Sequence, residues 1–249
     1  MTTPENVVFE KKGSVAVLKI SNPPQNFLNQ PAFISMEYLQ SIGDMDDIKG
    51  LVISGVGRHF SAGADLQNLF DLTNDSKLLK HEMSAGSELL EGIASMNIPV
   101  VAAINGVCWG GGLEIALACH IRFASVKSLF AFPEVNYNLM PGLGGLFRLS
   151  HKTGSAEALA LVLSGETFDA EKAFTLNVVN QLTEDNVLNF AVEYLNNLVD
   201  SKPKKVVASI MQALHNARAL ELHEALHEET RLFCELALEE TANRKKGVK

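Results

Sequence analysis

The sequence predicts an α/β fold, and three observations carry that expectation. Short apolar runs of strand length alternate with helical stretches over the first two thirds of the chain. Two of these alternations run strand, helix, strand, the order of a right-handed crossover. From Glu184 onward the pattern is wholly helical. The 249 residues, 47% of them hydrophobic, suffice for one sizeable core with a helical appendage. The division falls near residue 183, giving an α/β core over 1–183 and a helical region over 184–249.

Val7-Val8-Phe9 and Val15-Ala16-Val17-Leu18, separated by Lys11-Lys12-Gly13, predict an opening β-hairpin. Pro23 and Pro24 remove two ladder donors, so a loop follows. Pro31 at a first helical position predicts a helix to about Ile42, and Gly50 to Gly55 a buried strand. Asp65 is placed to cap a helix starting near Leu66. Residues 67–80 are polar without clean periodicity and predict a loose loop or frayed helix, of the kind that lines the variable side of a pocket. A helix over Ser84 to Met96 and a strand over Val100 to Ile104 follow. Ile121–Ala124 and Leu129–Phe132 predict short strands. Gly142 to Leu149, Ser155 to Leu163 and Ala170 to Leu176 predict helices, the last capped by Asp169. Val178 to Leu182 closes the α/β part as a strand, and three helices divided near Ser201-Lys202-Pro203 and Asn216–Leu220 complete the chain.

Composition excludes several classes. No stretch reaches the ~18 apolar residues of a membrane span. The start, Met1-Thr2-Thr3-Pro4-Glu5, has neither the basic nor the apolar region of a secretory leader, so a cytoplasmic protein is expected. Cys108, Cys119 and Cys234 show no disulfide or metal spacing. A formal net charge of −8 opposes nucleic-acid binding, and the main basic cluster is terminal, Arg244-Lys245-Lys246 with Lys249.

The chemistry concentrates between Asn105 and Gly145. The apolar run Ile98 to Ile104 ends in Asn105-Gly106, and Gly110-Gly111-Gly112 then leads into the helical Leu113-Glu114-Ile115-Ala116-Leu117-Ala118. Glycines at a helix start leave backbone N–H groups open to a ligand, with the positive end of the helix dipole behind them. That suits an anion, or a carbonyl oxygen that becomes one during reaction. Glu114 adds a carboxylate within the first turn. Ser61-Ala62-Gly63-Ala64-Asp65-Leu66 is a second stretch of small residues that lets backbone approach a ligand. Phe132-Pro133-Glu134 and Met140-Pro141-Gly142-Leu143-Gly144-Gly145 follow.

These three pieces, in this order and at these separations, resemble the crotonase superfamily of enoyl-CoA hydratases and isomerases across essentially the whole chain. The resemblance implies a spiral of ββα repeats with C-terminal helices that build a homotrimer or a pair of trimers. It implies an acyl-CoA substrate, coenzyme A being part of that substrate, with no separate cofactor and no metal. It assigns the oxyanion hole to the N–H groups of Ala64 and Gly111, substrate contacts to Ala62, Asp65, Leu66, Gly110, Pro133 and Gly142, and catalysis to Glu114 and Glu134. Glu114 chiefly activates water and Glu134 delivers a proton. The chain departs from the family pattern at Asn138, expected in the acyl-pocket wall, and at Cys108, Trp109, His120 and Leu146-Phe147. It also stops at Lys249, before a basic final helix many relatives carry, so adenine-end binding is expected to be built differently or by a neighbouring subunit.

Three other readings compete. An enoyl-CoA isomerase would use the same donors with one main carboxylate. A non-catalytic or RNA-binding relative is disfavoured by the acidic balance and the full set of site residues. His223-Glu224-Ala225-Leu226-His227 matches the His-Glu-x-x-His signature of zinc metalloproteases, with both histidines on one helical face. The charged pair Glu228-Glu229 argues instead for an amphipathic helix packed through Leu222, Leu226 and Leu232.

Overall fold

The structure is a computed structural model that describes residues 3–247, the side chain of Lys246 apart; Met1, Thr2 and Lys249 lie outside the described residues. The expected hairpin forms as β1 (Val7–Lys12) and β2 (Val15–Ile20), antiparallel with Val7 opposite Ile20. Helix α1 spans Met36–Asp44, five residues later than Pro31 suggests. The Ser35 hydroxyl caps it by accepting from the Tyr38 N–H, while Phe33 and Ile34 turn into the core and break the preceding turn. After β3 (Gly50–Gly55), the segment expected to be loose holds two helices instead. These are α2 (Leu66–Leu72), capped by Asp65, and α3 (Ser76–Ala94), whose cap Asp75 accepts from the Lys77 and Leu78 N–H groups. The polar residues there were cap signals, which periodicity does not register.

Strand β4 (Val100–Ile104) is followed by a strand the sequence did not reveal, β5 (Val107–Trp109), then by α4 (Gly111–Ala118), β6 (Ile121–Ser125), β7 (Leu129–Ala131) and a short 3₁₀ turn, Pro133–Tyr137. Helix α5 (Gly145–Thr153) starts three residues past the expected Gly142, and α6 (Ser155–Ser164) follows. Strand β8 (Phe168–Asp169), also not foreseen, leads into α7 (Ala170–Thr175), where Asp169 accepts from the Lys172 N–H. Strand β9 shrinks to Gln181–Thr183, because Val178 and Val179 pack into the core as a turn. The three final helices are α8 (Val187–Val199), α9 (Lys204–Ala219) and α10 (Leu222–Gly247).

Six strands form one sheet in the order β1-β2-β3-β4-β6-β9, parallel from β2 onward; β5, β7 and β8 form a second. The period-2 alternation divides the main sheet's side chains between two cores. Val15, Val17, Val52, Val101 and Ala103 meet Val187, Ala191 and Leu195 of α8. Ala16, Leu18, Leu51, Ile53, Ala102 and Ile104 meet Leu39, Leu89 and Ile93 of α1 and α3 and Leu113, Ile115 and Leu117 of α4. Helix α10 buries Ala225 and Leu232, whereas Leu222 and Leu226 are exposed, so the packed stripe expected through those two leucines lies one face over. Among the described residues no helix is long and apolar enough to cross a membrane, and no group of three metal-ligating side chains forms, which leaves His223 and His227 without a third ligand.

Arg122, 1% exposed, ties this core together. Its Nε donates to the Val178 carbonyl at 2.9 Å, Nη1 to the Cys119 and Ala116 carbonyls, and Nη2 to Asn180 Oδ1 at 3.2 Å. It thus satisfies the carbonyls at the end of α4 and joins them to the turn before β9. Arg122→Met leaves those acceptors buried and unpaired, and should cost about 3 kcal/mol in urea unfolding. A loss below about 0.5 kcal/mol would contradict this role.

Candidate functional site

Two stretches of backbone run side by side at the head of α4. Trp109 N–H donates to the Ser61 carbonyl at 3.0 Å, and Ser61 N–H to the Val107 carbonyl at 3.2 Å. On the other side, Leu28 N–H donates to the Gly63 carbonyl and Asp65 N–H to the Leu28 carbonyl. Gly63 has φ +90°, and a Cβ there would stand 2.9 Å from the Trp109 carbonyl and 3.4 Å from the Gly111 nitrogen. The bridge to Leu28 uses the groups flanking Ala64, so the Ala64 N–H faces the opposite way. The Gly111 N–H is the first of α4 and has no intrahelical partner. Neither N–H meets a protein acceptor among the described residues.

Both open onto one cavity of about 810 Å³. Each residue that the resemblance assigns to catalysis, the oxyanion hole or substrate contact lines it: Ala62, Ala64, Asp65, Leu66, Gly110, Gly111, Glu114, Pro133, Glu134 and Gly142. Trp109 lines it too, with a buried, unpartnered indole N–H. Cys108 is wholly buried in the core instead. Asn138 is absent from the wall, contrary to expectation; it holds the left-handed position (φ 58°) that ends the 3₁₀ turn, where its N–H reaches the Val135 carbonyl. That backbone position is one only Gly and Asn occupy cheaply, which explains the residue without a pocket role. Tyr137 and Leu139 on either side line the cavity in its place.

The two carboxyls sit in different surroundings. Glu114 is 2% exposed, and its Oε1 accepts from the Leu143 N–H at 2.7 Å and the Gly145 N–H at 2.8 Å. Burial pushes its carboxyl above the usual range, opposed by those two N–H groups and by the Arg148 guanidinium. Arg148 itself braces the loop through the Leu143 carbonyl at 2.8 Å. A Cβ on Gly145 would lie 2.8 Å from both Glu114 Cγ and Oε1, so only glycine lets the clamp close. The Gly142-Leu143-Gly144-Gly145 run was legible as a helix start; that its N–H groups serve Glu114 was not.

Glu134 rides on the 3₁₀ turn behind β7, its Oε1 against the Gly110 turn and its Oε2 buried without a partner. Gly110 has φ +50°, and a Cβ there would come within 2.9 Å of Glu134 Oε1. Burial, helped by the nearby Glu114 charge and offset by its own backbone N–H, raises the Glu134 carboxyl to about 7. The arrangement therefore brings together two N–H groups without a protein acceptor among the described residues, one carboxyl held by fixed donors, and one carboxyl poised to carry a proton near neutrality.

Comparison with known proteins bears on the chain as a whole. The family model described as enoyl-CoA hydratase/isomerase matches residues 10–249. The chain is 35% identical over 242 residues to the "Probable enoyl-CoA hydratase" of Bacillus subtilis, covering 94% of this chain and 90% of that protein. It is 33% identical over 236 residues to the "Short-chain-enoyl-CoA hydratase" of Clostridium acetobutylicum, covering 92% and 88%. Among solved structures, an enoyl-CoA hydratase from Polaromonas sp. JS666 superposes with a TM-score of 0.84 at 26% identity, covering 92% and 90%.

Titration followed by carbon-13 NMR of labelled glutamate checks the electrostatics. One carboxyl, absent in Glu134→Gln, should titrate at about 7. In Glu114→Gln it should titrate lower, because a neighbouring negative charge is gone. An unchanged or higher value there would show that the two carboxyls do not sense each other.

Proposed function

The chain belongs to the enoyl-CoA hydratase/isomerase family, and on that premise we propose that it is an enoyl-CoA hydratase, adding water reversibly across the double bond of a 2-enoyl thioester. The observation that carries this reading is the placing of two carboxyls, Glu114 and Glu134, in the cavity onto which the Ala64 and Gly111 N–H groups open. Hydration needs both, because a hydroxyl and a hydrogen must be delivered to adjacent carbons.

In the proposed reaction the thioester oxygen accepts from the Ala64 and Gly111 N–H groups. Glu114, its Oε1 fixed by Leu143 and Gly145, takes a proton from water as the water oxygen bonds to the β-carbon. The double-bond electrons move toward the thioester, and negative charge builds on the oxygen the two N–H groups hold. One such donor is commonly worth about 3 kcal/mol of barrier. Glu134 then gives its proton to the α-carbon and the carbonyl re-forms. The proton now on Glu114 returns to Glu134 through solvent, which resets the site.

An isomerase would shuttle one proton with one main carboxyl and use no water. The presence of two carboxyls favours hydration over that reading. Assembly into a homotrimer or a pair of trimers belongs to the same proposal. Its support is the apolar surface left uncovered on α10, where Leu222, Phe233 and Leu238 are each at least 70% exposed.

Incubation with crotonyl-CoA in ¹⁸O-labelled water tests the reading. The expected result is label in the β-hydroxyl product, and turnover without label incorporation would overturn it. Glu114→Gln and Glu134→Gln should each lower kcat about 10³-fold while retaining CoA binding. Because Glu134 must hold a proton to deliver it, kcat/KM should fall as pH rises through about 7. A profile still rising there would take Glu134 out of the proton-delivery role.

A further inference from the structure

The arc from Leu143 to Gly145 is fixed from outside the cavity. Its Leu143 and Gly145 N–H groups hold Glu114 Oε1 at 2.7 and 2.8 Å, and the Leu143 carbonyl between them accepts from Arg148 Nη1 at 2.8 Å. The guanidinium lies against the arc: Gly144 has φ +86°, and a Cβ there would stand 2.5 Å from Nη1. Nη2 reaches Glu91 of α3 at 3.4 Å. The same helix grips the arc a second time, since a Cβ on Gly86 would lie 2.9 Å from Leu143 Cδ2. Neither Arg148 nor Glu91 lines the cavity. The Arg148 side chain is 10% exposed and that of Glu91 is largely solvated. Burying a guanidinium costs free energy, and a long pairing with a solvated carboxylate returns little of it, so stability does not account for this placement.

We propose, resting on the hydratase reading for the reaction but not for the geometry, that Arg148 is a positioning residue: it holds the arc in the form that presents both N–H groups to Glu114, and Glu91 ties it to α3. Without the guanidinium the Leu143 carbonyl loses its donor and the arc is free to turn about Gly144 and Gly145. The carboxyl that takes a proton from water then loses its fixed orientation. The charge acts in the same direction. Glu114 faces Arg148 from α5 and Glu134 from the 3₁₀ turn, while Arg148 faces Glu114 from α4, Glu91 from α3 and Arg218 from α9. Burial opposes the Glu114 carboxylate, and the two N–H groups and Arg148 favour it. Glu114 serves as a base only when ionised, so loss of Arg148 raises the pH at which the base forms.

Hydration of crotonyl-CoA by Arg148→Met and Arg148→Lys tests this, with carbon-13 NMR of labelled glutamate following the carboxyl that Glu114→Gln removes. Arg148→Met should lower kcat about 30-fold or more, with KM within about threefold of the wild type. It should also move the acid limb of kcat/KM up by about half a pH unit or more, and the Glu114 carboxyl should titrate higher by as much. A residue that only stabilises the fold would leave both where they are. Lysine keeps the charge but cannot reach the Leu143 carbonyl and Glu91 together, so Arg148→Lys should hold the limb in place and still lose about tenfold in kcat. Glu91→Gln removes an opposing charge and should leave the limb in place or move it down. Should Arg148→Met fail to fold, Arg148→Lys decides alone. A wild-type kcat in either Arg148 variant, an unmoved limb or Glu114 titration in Arg148→Met, or an upward shift in Glu91→Gln overturns the proposal. If the wild type does not hydrate crotonyl-CoA while the Glu114 titration still rises in Arg148→Met, the hydratase reading fails and the positioning stands.

Discussion

Everything at the site depends on how closely two pieces of backbone can be pressed together, residues 61–65 and residues 107–112. Three hydrogen bonds from Phe60, Ser61 and Trp109 seal the seam, and a Cβ on Gly112 would lie 2.6 Å from the Ser61 carbonyl. Ser61 and Trp109 commit their N–H groups to the seam, Asp65 to Leu28, Ala62 to Gln25, Gly63 to the Ser61 hydroxyl and Gly110 to Ala131, and those of Ala64 and Gly111, which meet no protein acceptor among the described residues, open on the same cavity. The site's donors are a by-product of the pairing that holds the two layers together. They are backbone groups, so they cannot swing away or reorganise when charge develops between them.

The same approach sets the electrostatics. Glu114 grows from the first turn of α4, and the α5 loop reaches across to give it two N–H groups; Glu134 is brought to the Gly110 turn by β7 pairing in parallel with β5. One carboxyl is supplied with fixed donors and the other is left with a buried, unpartnered oxygen. Burial raises both carboxyls, but at Glu114 two N–H groups and the Arg148 guanidinium oppose it, whereas the Glu114 charge adds to it at Glu134, so the two surroundings are unequal. Arg148 completes the arrangement by tying the loop to Glu91 as well as to the Leu143 carbonyl.

The main sheet was legible because its strands alternate cleanly between two cores, as Val15, Ala16, Val17 and Leu18 do, and the glycine-rich turns were legible because few other residues tolerate such backbone. Less visible were features fixed by partners distant in sequence. Strands β5 and β8 are only three and two residues long and exist through their pairing with β7. Helix α3 begins eight residues before its periodicity does, on the Asp75 cap. Asn138 was expected in the acyl-pocket wall from the family resemblance, when its left-handed backbone conformation was the reason for its identity. The Leu143 and Gly145 clamp on Glu114 spans about thirty residues of sequence, and no local pattern announces it.

The claim at the centre of this account is that the Ala64 and Gly111 N–H groups polarise a thioester carbonyl. The most direct measurement is the infrared stretch of a carbon-13-labelled 2-enoyl thioester carbonyl, bound to the Glu114→Gln, Glu134→Gln double variant so that the ligand persists. The account predicts a carbonyl band at clearly lower frequency than the same thioester shows in water. A band at or above the aqueous position, with binding demonstrated in the same sample, would contradict it.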